Sequence, residues 1–392
     1  MICLETRHFS INRILLLIVG LWPYQRSPFV QFHLFLFLGT LTTFIIFQFT
    51  TFLTSKCTPE LILQVFSTTF FFICFAIKYN SFWINTDIIR SLLEQLQDMC
   101  NELKDENEIA IIEKYGNKAK YYTTAIILFG FFGECSIGFI QIWPYIKHFL
   151  LPNNHSRLNP SAYIVTEYFI DQEKYFYLIT LHSIAANFIG GIAMVATGTM
   201  LIAYLQHTCG MFCIASYRIE HAINILQKDV LKNENKICYK EITYAVDIHR
   251  KAMEFTDFLI SNFEGSFFFL IAIGVTCLSL NLLRAASYSD NTEQLIIPLS
   301  IIIILYVYLF LSNYTAQEIT DHNENVFMTV YNVEWYVTPI HIQKMMLFLL
   351  QRGTKAFHMI LGGIFVASLE SAASLMSTSI SYFTVLYSTR QN

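Results

Sequence analysis

Along the chain, long uninterrupted apolar blocks alternate with polar stretches, and the blocks fall at 29–53, 61–79, 122–146, 176–205, 259–283, 295–314 and 357–388. About 20 helical residues cross the ~30 Å hydrocarbon layer of a bilayer, so each block predicts a membrane-spanning helix. The blocks are continuously apolar, whereas barrel strands alternate, and a helix satisfies its own backbone polar groups in lipid. The expectation is an all-α membrane protein with seven transmembrane helices. An earlier run, ILLLIVGLWPY at 14–24, is too short to span, and no small-residue cleavage site follows it.

The polar stretches carry a second pattern. Between 80 and 120, Ile88, Leu92, Leu96 and Met99 recur at helical spacing among charges. Between 206 and 257, Ile219, Ile223 and Ile225 precede a polar KNENK hinge, and a further helical pattern follows it. These amphipathic extensions read either as solvated overhangs that pack on each other or as a platform for subunit contact. In NVEWYVTPIHIQKMMLFLLQRGTKAF, Ile340, Met345, Leu349 and Leu350 lie near one face while Lys344, Gln351 and Arg352 keep the segment out of lipid. The chain thus divides into an amino-terminal segment (1–28), six helices with their extensions (29–314), an anchor region (315–356) and a final helix (357–392).

Composition agrees with the membrane class: 54% of the 392 residues are hydrophobic and 14% charged, too apolar for an ordinary soluble chain of this length. Charge then sets orientation. Of the 25 Lys and Arg, 19 fall on the side of the amino terminus and the long extensions, which predicts a cytoplasmic amino terminus and an extracellular carboxyl terminus. Asn154 opens a glycosylation sequon on the expected outer side, and a second sequon, at Asn313, falls at the inner end of the sixth block and should stay unmodified. A G-protein-coupled receptor has the opposite orientation. Cys57 is the one cysteine in an outer loop, so no outer disulfide framework is available, and Cys209 and Cys213 read as packing residues. No HExxH, phosphate-cradling Gly loop or GxSxG elbow occurs, so nothing suggests an enzyme, a metal or a cofactor.

The motifs GLWP at 20–23, EWY at 334–336, the stretch from Lys344 to Leu350 with QRGTKAF after it, GGIFVASLE at 362–370 and SYFTVLYS at 381–388 occur in one order. On these the chain resembles the insect odorant receptor family, most closely its divergent ligand-binding subunits, particularly those of ants, bees and wasps. The resemblance implies an odorant-gated, non-selective cation channel of four subunits in the plasma membrane of olfactory sensory neurons. A coreceptor subunit would work beside the odorant-binding one, and no nucleic acid is involved. The related gustatory receptors are similar at the carboxyl end, but this chain departs from their pattern at Ser381 and Ser388. That departure favours the odorant branch and argues against this chain being the coreceptor.

Within the last block, Glu370, Ser374, Ser377 or Thr378, Ser381, Thr384 or Val385, and Ser388 follow at steps of three and four and share one helical face. Polar groups at membrane depth tend to face water-filled cavities. Small hydroxyl residues also let helices pack closely and bond across, so helix physics alone leaves both readings open. The resemblance favours a pore, with Glu370, Ser374, Thr378, Ser381, Val385, Ser388 and Thr389 along it and the last three at its outer constriction. Glu134 and Glu264 are the other carboxylates inside spans and read as structural hydrogen-bonding groups.

A small volatile ligand calls for an aromatic-lined cavity with few polar groups. The resemblance places that cavity between the outer halves of spans two, three, four and six, at Phe66 and Phe70, Ser136, Phe139 and Trp143, His182 and Ala186, and Ser300 and Ile303. The alternatives are a gustatory-type channel acting without a coreceptor and a metabotropic receptor coupled to a G protein.

Overall fold

The structure, a computed structural model, describes residues 8–25, 27–150, 164–172, 174–228, 232–288, 292–355 and 357–391. Asn154, and Arg7, Arg26 and Arg157 of the charge count, lie outside the described residues. Helix α1 (Ser10–Ile18) is short because Gly20, at φ +72°, turns the chain back. That left-handed residue lets the Leu21 amide reach Leu16 O at 2.8 Å. Leu21 and Trp22 are thereby buried, Tyr79 donates to Val19 O at 2.9 Å, and Asn12 donates to Thr199 at 3.1 Å. GLWP is a docked re-entry, as its length predicted, and not a crossing.

Helix α2 (Pro28–Phe49) leads through a one-turn α3 (Thr51–Thr54) to α4 (Pro59–Ile84). Both long helices start on the same chemistry: Ser27 and Thr58 accept from the amides of Val30 and Leu61 at 3.3 and 3.2 Å, with proline following as the first helical residue. Helix α5 (Thr86–Glu102) buries Leu92 and Leu96 with Ile89, Leu93 and Cys100, while Ile88 and Met99 flank that face.

Helices α6 (Glu106–Leu150), α7 (Phe176–Lys228), α8 (Lys232–Ser287) and α9 (Thr292–Asn332) have 45, 53, 56 and 41 residues. At 1.5 Å per residue they run for about 60 to 85 Å, twice the hydrocarbon thickness or more. Each crosses the apolar layer and continues into a polar one, where the extensions pack on each other. Arg218 clasps Glu108, Lys251 meets Glu102 at 2.8 Å, and Tyr217 donates to Asp105 at 2.9 Å. The KNENK stretch expected as a hinge is instead the opening turn of α8.

After a 3₁₀ turn (Trp335–Val337), α10 (Ile340–Gly353) buries Ile342, Met346 and Leu349. Of the face expected from sequence, Leu349 is on the buried seam; Ile340 is 71% exposed. The seam at steps of four and three leaves Ile340, Leu347 and Phe348 uncovered.

The last span is shorter than its apolar block. Residues 357–368 are not helical: strands β1 (Ile360–Leu361) and β2 (Phe365–Val366) form a small hairpin around Gly362 and Gly363, at φ +60° and +69°. Successive left-handed residues cannot continue a right-handed helix. Helix α11 (Leu369–Gln391) then starts on Ser368, whose hydroxyl accepts from the Ser371 amide at 3.1 Å. The Ser368 amide donates to Asn313 Oδ1 on α9 at 3.1 Å.

Among the described residues, six helices are long and apolar enough to cross a membrane: Pro28–Thr54, Pro59–Ile84, Glu106–Trp143, Phe176–Leu226, Lys236–Ser287 and Gln294–Asn332. Helix α11 falls outside that group because hydroxyl residues dilute its hydropathy, and it completes a seven-helix membrane fold. Two residues leave the charge count. Lys78 and Arg284, one from each side, are buried inside the bundle and say nothing of the loops. The bias is unchanged in direction without them.

Candidate functional site

A cavity of about 210 Å³ lies in the middle of the bundle, walled by α4, α6, α7, α8, α9, the hairpin and α11. Its volume comes from small residues: Gly130 and Gly133 on α6, Gly191 and Gly198 on α7, and Gly274 on α8 put backbone where side chains would otherwise fill. Aromatic rings do the rest, with Phe71 and Phe75 from α4, Phe267 from α8 and Tyr308 from α9. An engineered apolar cavity of about 150 Å³ takes up benzene. This one suits a molecule somewhat larger than a single ring.

Two ionisable side chains stand in this apolar wall. Glu134 accepts a hydrogen bond from Asn187 of α7, the structural bond expected of it, and a Cβ at Gly191 would overlap its carboxylate. Lys78 is 3% exposed, with its ammonium 5.1 Å from the Tyr308 ring and 5.6 Å from the Phe267 ring. Ring faces attract a desolvated cation by about 2 kcal/mol, less than the several kcal/mol that burying an ammonium costs. Sequence reading counted Lys78, at the inner end of the second block, among the cytoplasmic charges. The signal against that was local, since FAIKYNSFWI returns to apolar residues after the lysine and so holds it inside the helix.

The residues proposed from sequence lie on the same four helices, from one residue to about two and a half turns beyond the cavity, and none is on its wall. On α4 the wall starts at Phe71, after Phe66 and Phe70; on α6 it ends at Glu134, before Ser136, Phe139 and Trp143. On α7 it starts at Gly191, after His182 and Ala186, and on α9 at Ile304, after Ser300 and Ile303. Because neighbouring crossings run in opposite directions, these four offsets are one displacement toward the polar layer of the long extensions. The outer positions have other surroundings. His182 is held by Tyr168 at 2.7 Å and by Thr43 and the Thr40 carbonyl at 3.2 Å, tying α7 to α2. Phe66 packs on Phe49 and Phe52, while Phe139, Trp143 and Ile303 are exposed on the outside of the bundle and Ser136 and Ser300 return their hydroxyls to their own helices. Ala186 is buried and Phe70 packs against the core.

Helix α11 divides cleanly. Ala372 and Ser379 are buried, and Leu375 and Ser379 form part of the cavity wall. At 100° per residue the opposite side carries Glu370, Ser374, Ser381, Val385 and Ser388, all exposed, with Thr378 and Thr389 at its margin. The hydroxyls of this side bond to their own helix: Thr378 to Ser374 O, Ser381 to Ser377 O, Ser388 and Thr389 to Val385 O, at 2.8–2.9 Å. Within one subunit the ladder therefore makes no bond to a neighbouring helix among the described residues. Glu264 is exposed beside the hairpin, where a Cβ on Gly363 would stand 3.1 Å from its carboxylate.

Just beyond the cavity, on the side of the polar layer, sequence reading missed a cluster joining three helices. Glu318 of α9 takes Lys118 of α6 and Gln206 of α7, and His322, one turn on, bonds Tyr115 at 2.6 Å. The lysine and the glutamate lie 200 positions apart, so no local pattern marks the pair. Among the described residues no three His, Cys, Asp or Glu side chains are grouped to hold a metal ion.

The fold that carries this cavity has counterparts among known proteins. Two structures of the insect olfactory receptor OR5 from Machilis hrabei superpose along nearly the whole chain. The one in complex with eugenol has a TM-score of 0.81 at 16% identity, covering 97% of each chain. The other has a TM-score of 0.76 at 17% identity, covering 97% of this chain and 98% of that one. In sequence, odorant receptor 10 of Aedes albopictus is 26% identical over 97 residues, which span 25% of this chain and 26% of that receptor. The profile of the 7tm odorant receptor family matches residues 58–380, from the start of α4 to the middle of α11, and with the fold this places the chain in the insect odorant receptor family.

Proposed function

We propose that this odorant receptor is the ligand-binding subunit of an odorant-gated, non-selective cation channel, assembled with a coreceptor subunit into a tetramer in the plasma membrane of olfactory sensory neurons. The observation that carries the reading is the two-sidedness of α11. One side, through Leu375 and Ser379, is wall of the cavity; the other is an exposed polar face from Glu370 to Ser388. A small apolar molecule in the cavity touches the helix whose far side lines the conduction path, so occupancy and gating act on one element. The bound eugenol of the Machilis hrabei receptor supports a small volatile ligand. Phe70 and Ala186 pack just beyond the cavity, and His182 and Phe66 hold helices that frame it. The polar layer of long extensions is cytoplasmic, and with it the amino terminus.

The test is current in excised membrane, without nucleotides, from cells expressing this chain with a coreceptor. Ligand-evoked cation current there supports the reading, and its loss on excision supports a metabotropic receptor. Equal current from this chain alone supports a gustatory-type channel. A tag on Met1 should be reached by antibody only after permeabilisation; labelling of intact cells would overturn the topology.

A further inference from the structure

We propose that Lys78 makes the central cavity selective for small molecules with an apolar body and one hydrogen-bond acceptor head, a carbonyl or carboxylate oxygen, which the buried ammonium receives. The inference rests on the reading of the cavity as the ligand site and goes beyond it in naming the ligand's chemistry.

The argument is one of unmet demand. The cavity wall is almost wholly apolar, and most of its other polar groups are engaged within the protein. Thr199, Thr315 and Ser379 return their hydroxyls to their own helices at 2.8–2.9 Å. Asn313 donates to Leu309 O and accepts from Ser368. Glu134 holds Asn187. Lys78 is different: among the described residues it has neither a hydrogen bond nor an ion pair, and it is 3% exposed on the wall of the cavity. Its surroundings are the Phe267 and Tyr308 rings and, one turn back on the same face, Cys74. Ring faces attract the ammonium but satisfy none of its three donors. A buried ammonium is stable only when it is paired and bonded. The missing partner is an acceptor, and the empty volume beside it is apolar. A ligand with an oxygen at one end and hydrocarbon elsewhere meets both conditions, whereas an amine would set a second cation against the first.

The test uses one six-carbon skeleton with four ends, hexanal, hexanoic acid, hexylamine and hexane, on cells expressing the full chain with a coreceptor. Thermal stability of the purified receptor complex is read with the same four probes. The unmodified protein should respond to hexanal or hexanoic acid at concentrations at least tenfold below those of hexane and hexylamine. Lys78→Met keeps the length of the side chain and removes the donors; it should abolish that difference by weakening the acceptor-ended probes alone. Lys78→Gln keeps a donor without charge, so it should retain hexanal and lose hexanoic acid if the anion is the preferred head, and affect both alike if the carbonyl is. Surface labelling of each variant guards against a folding defect. If Lys78→Met weakens all four probes equally or none, the inference fails while the channel reading survives. If no probe evokes current but an acceptor-ended one stabilises the purified complex through Lys78, the channel reading fails and the inference survives. Stabilisation by no acceptor-ended probe overturns the inference.

Discussion

Removing Glu108 should be among the most damaging single changes outside the membrane layer. Its side chain is 3% exposed and receives Arg218, itself 13% exposed, through two parallel bonds: Nε to Oε1, and Nη2 to Oε2 at 2.9 Å. Taking one partner from a buried, bidentate pair leaves an uncompensated charge and costs about 3–5 kcal/mol. Two features lower that figure here. Glu241 lies 3.9 Å from Arg218 Nη1, and the Tyr244 ring centre lies 5.1 Å from the guanidinium, so the arginine keeps some company after Glu108→Ala. We expect a loss nearer about 3 kcal/mol, read as a lowered melting temperature of the detergent-solubilised receptor and as reduced surface expression. Arg218→Met should cost a similar amount by stranding Glu108. The double variant should lose clearly less than the sum, because it removes both charges. A Glu108→Ala loss below about 0.5 kcal/mol, the range of an ordinary surface change, or strict additivity in the double variant, would refute the view that this pair clamps α6 to α7.

Cysteines at Ser374, Ser381 and Ser388 should react with small thiol reagents when the channel is open, while cysteines at Ala372 and Ser379, on the packed side, should not; reactivity spread evenly around α11 would remove it from the pore. If Val385 forms the proposed apolar constriction, Val385→Ser makes it wettable and should raise ligand-independent current; an unaltered baseline would count against that position. Asn313→Ala strands the Ser368 amide at the start of α11 at a cost of about 1–3 kcal/mol; it should shift the half-activating ligand concentration by about fivefold or more without loss of surface protein, and an unchanged dose response would show that the contact does not bear on gating. Gly191→Ala drives a methyl group into the Glu134 carboxylate and should destabilise by about 1–3 kcal/mol, a defect that Glu134→Ala should largely relieve; absence of relief would place the strain elsewhere.

What the chain's pattern reveals, and what it hides, follows from the physics of each element. Caps and turns are local, so Ser27-Pro28 and Thr58-Pro59 mark helix starts, and Gly20 with the Gly362-Gly363 pair marks reversals. Reading 357–368 as helix ignored that glycine pair in favour of hydropathy. Amphipathic helices outside the membrane also declare their inner face, as Leu92 and Leu96 do. A helix apolar on every side does not, because lipid and core take the same residues, which is why Phe139 and Ile303 point outward where a cavity was expected. Depth along a crossing has the same ambiguity: nothing in the composition of α4 distinguishes Phe66 from Phe71, and the cavity lies where glycines from three other helices converge. Lys78 was legible only against its neighbours, since a charge at the edge of an apolar block looks like a loop until the residues after it are weighed. The contact between Asn313 and Ser368 joins positions 55 apart and has no local signature.

The self-bonded hydroxyls of α11 have an electrical consequence. A serine or threonine has one proton to give and two lone pairs to offer. Thr378, Ser381, Thr384, Ser388 and Thr389 each give theirs to a carbonyl three or four residues back. What remains for the outer side is oxygen alone: a strip of negative dipole ends without a formal charge between Glu370 and the carboxyl-terminal end. Around a shared axis such strips would replace part of a cation's hydration shell and offer an anion no proton to bind. Because no single oxygen holds tightly, sodium, potassium and calcium would pass with little preference, and the sieve would distinguish the sign of an ion more sharply than its identity.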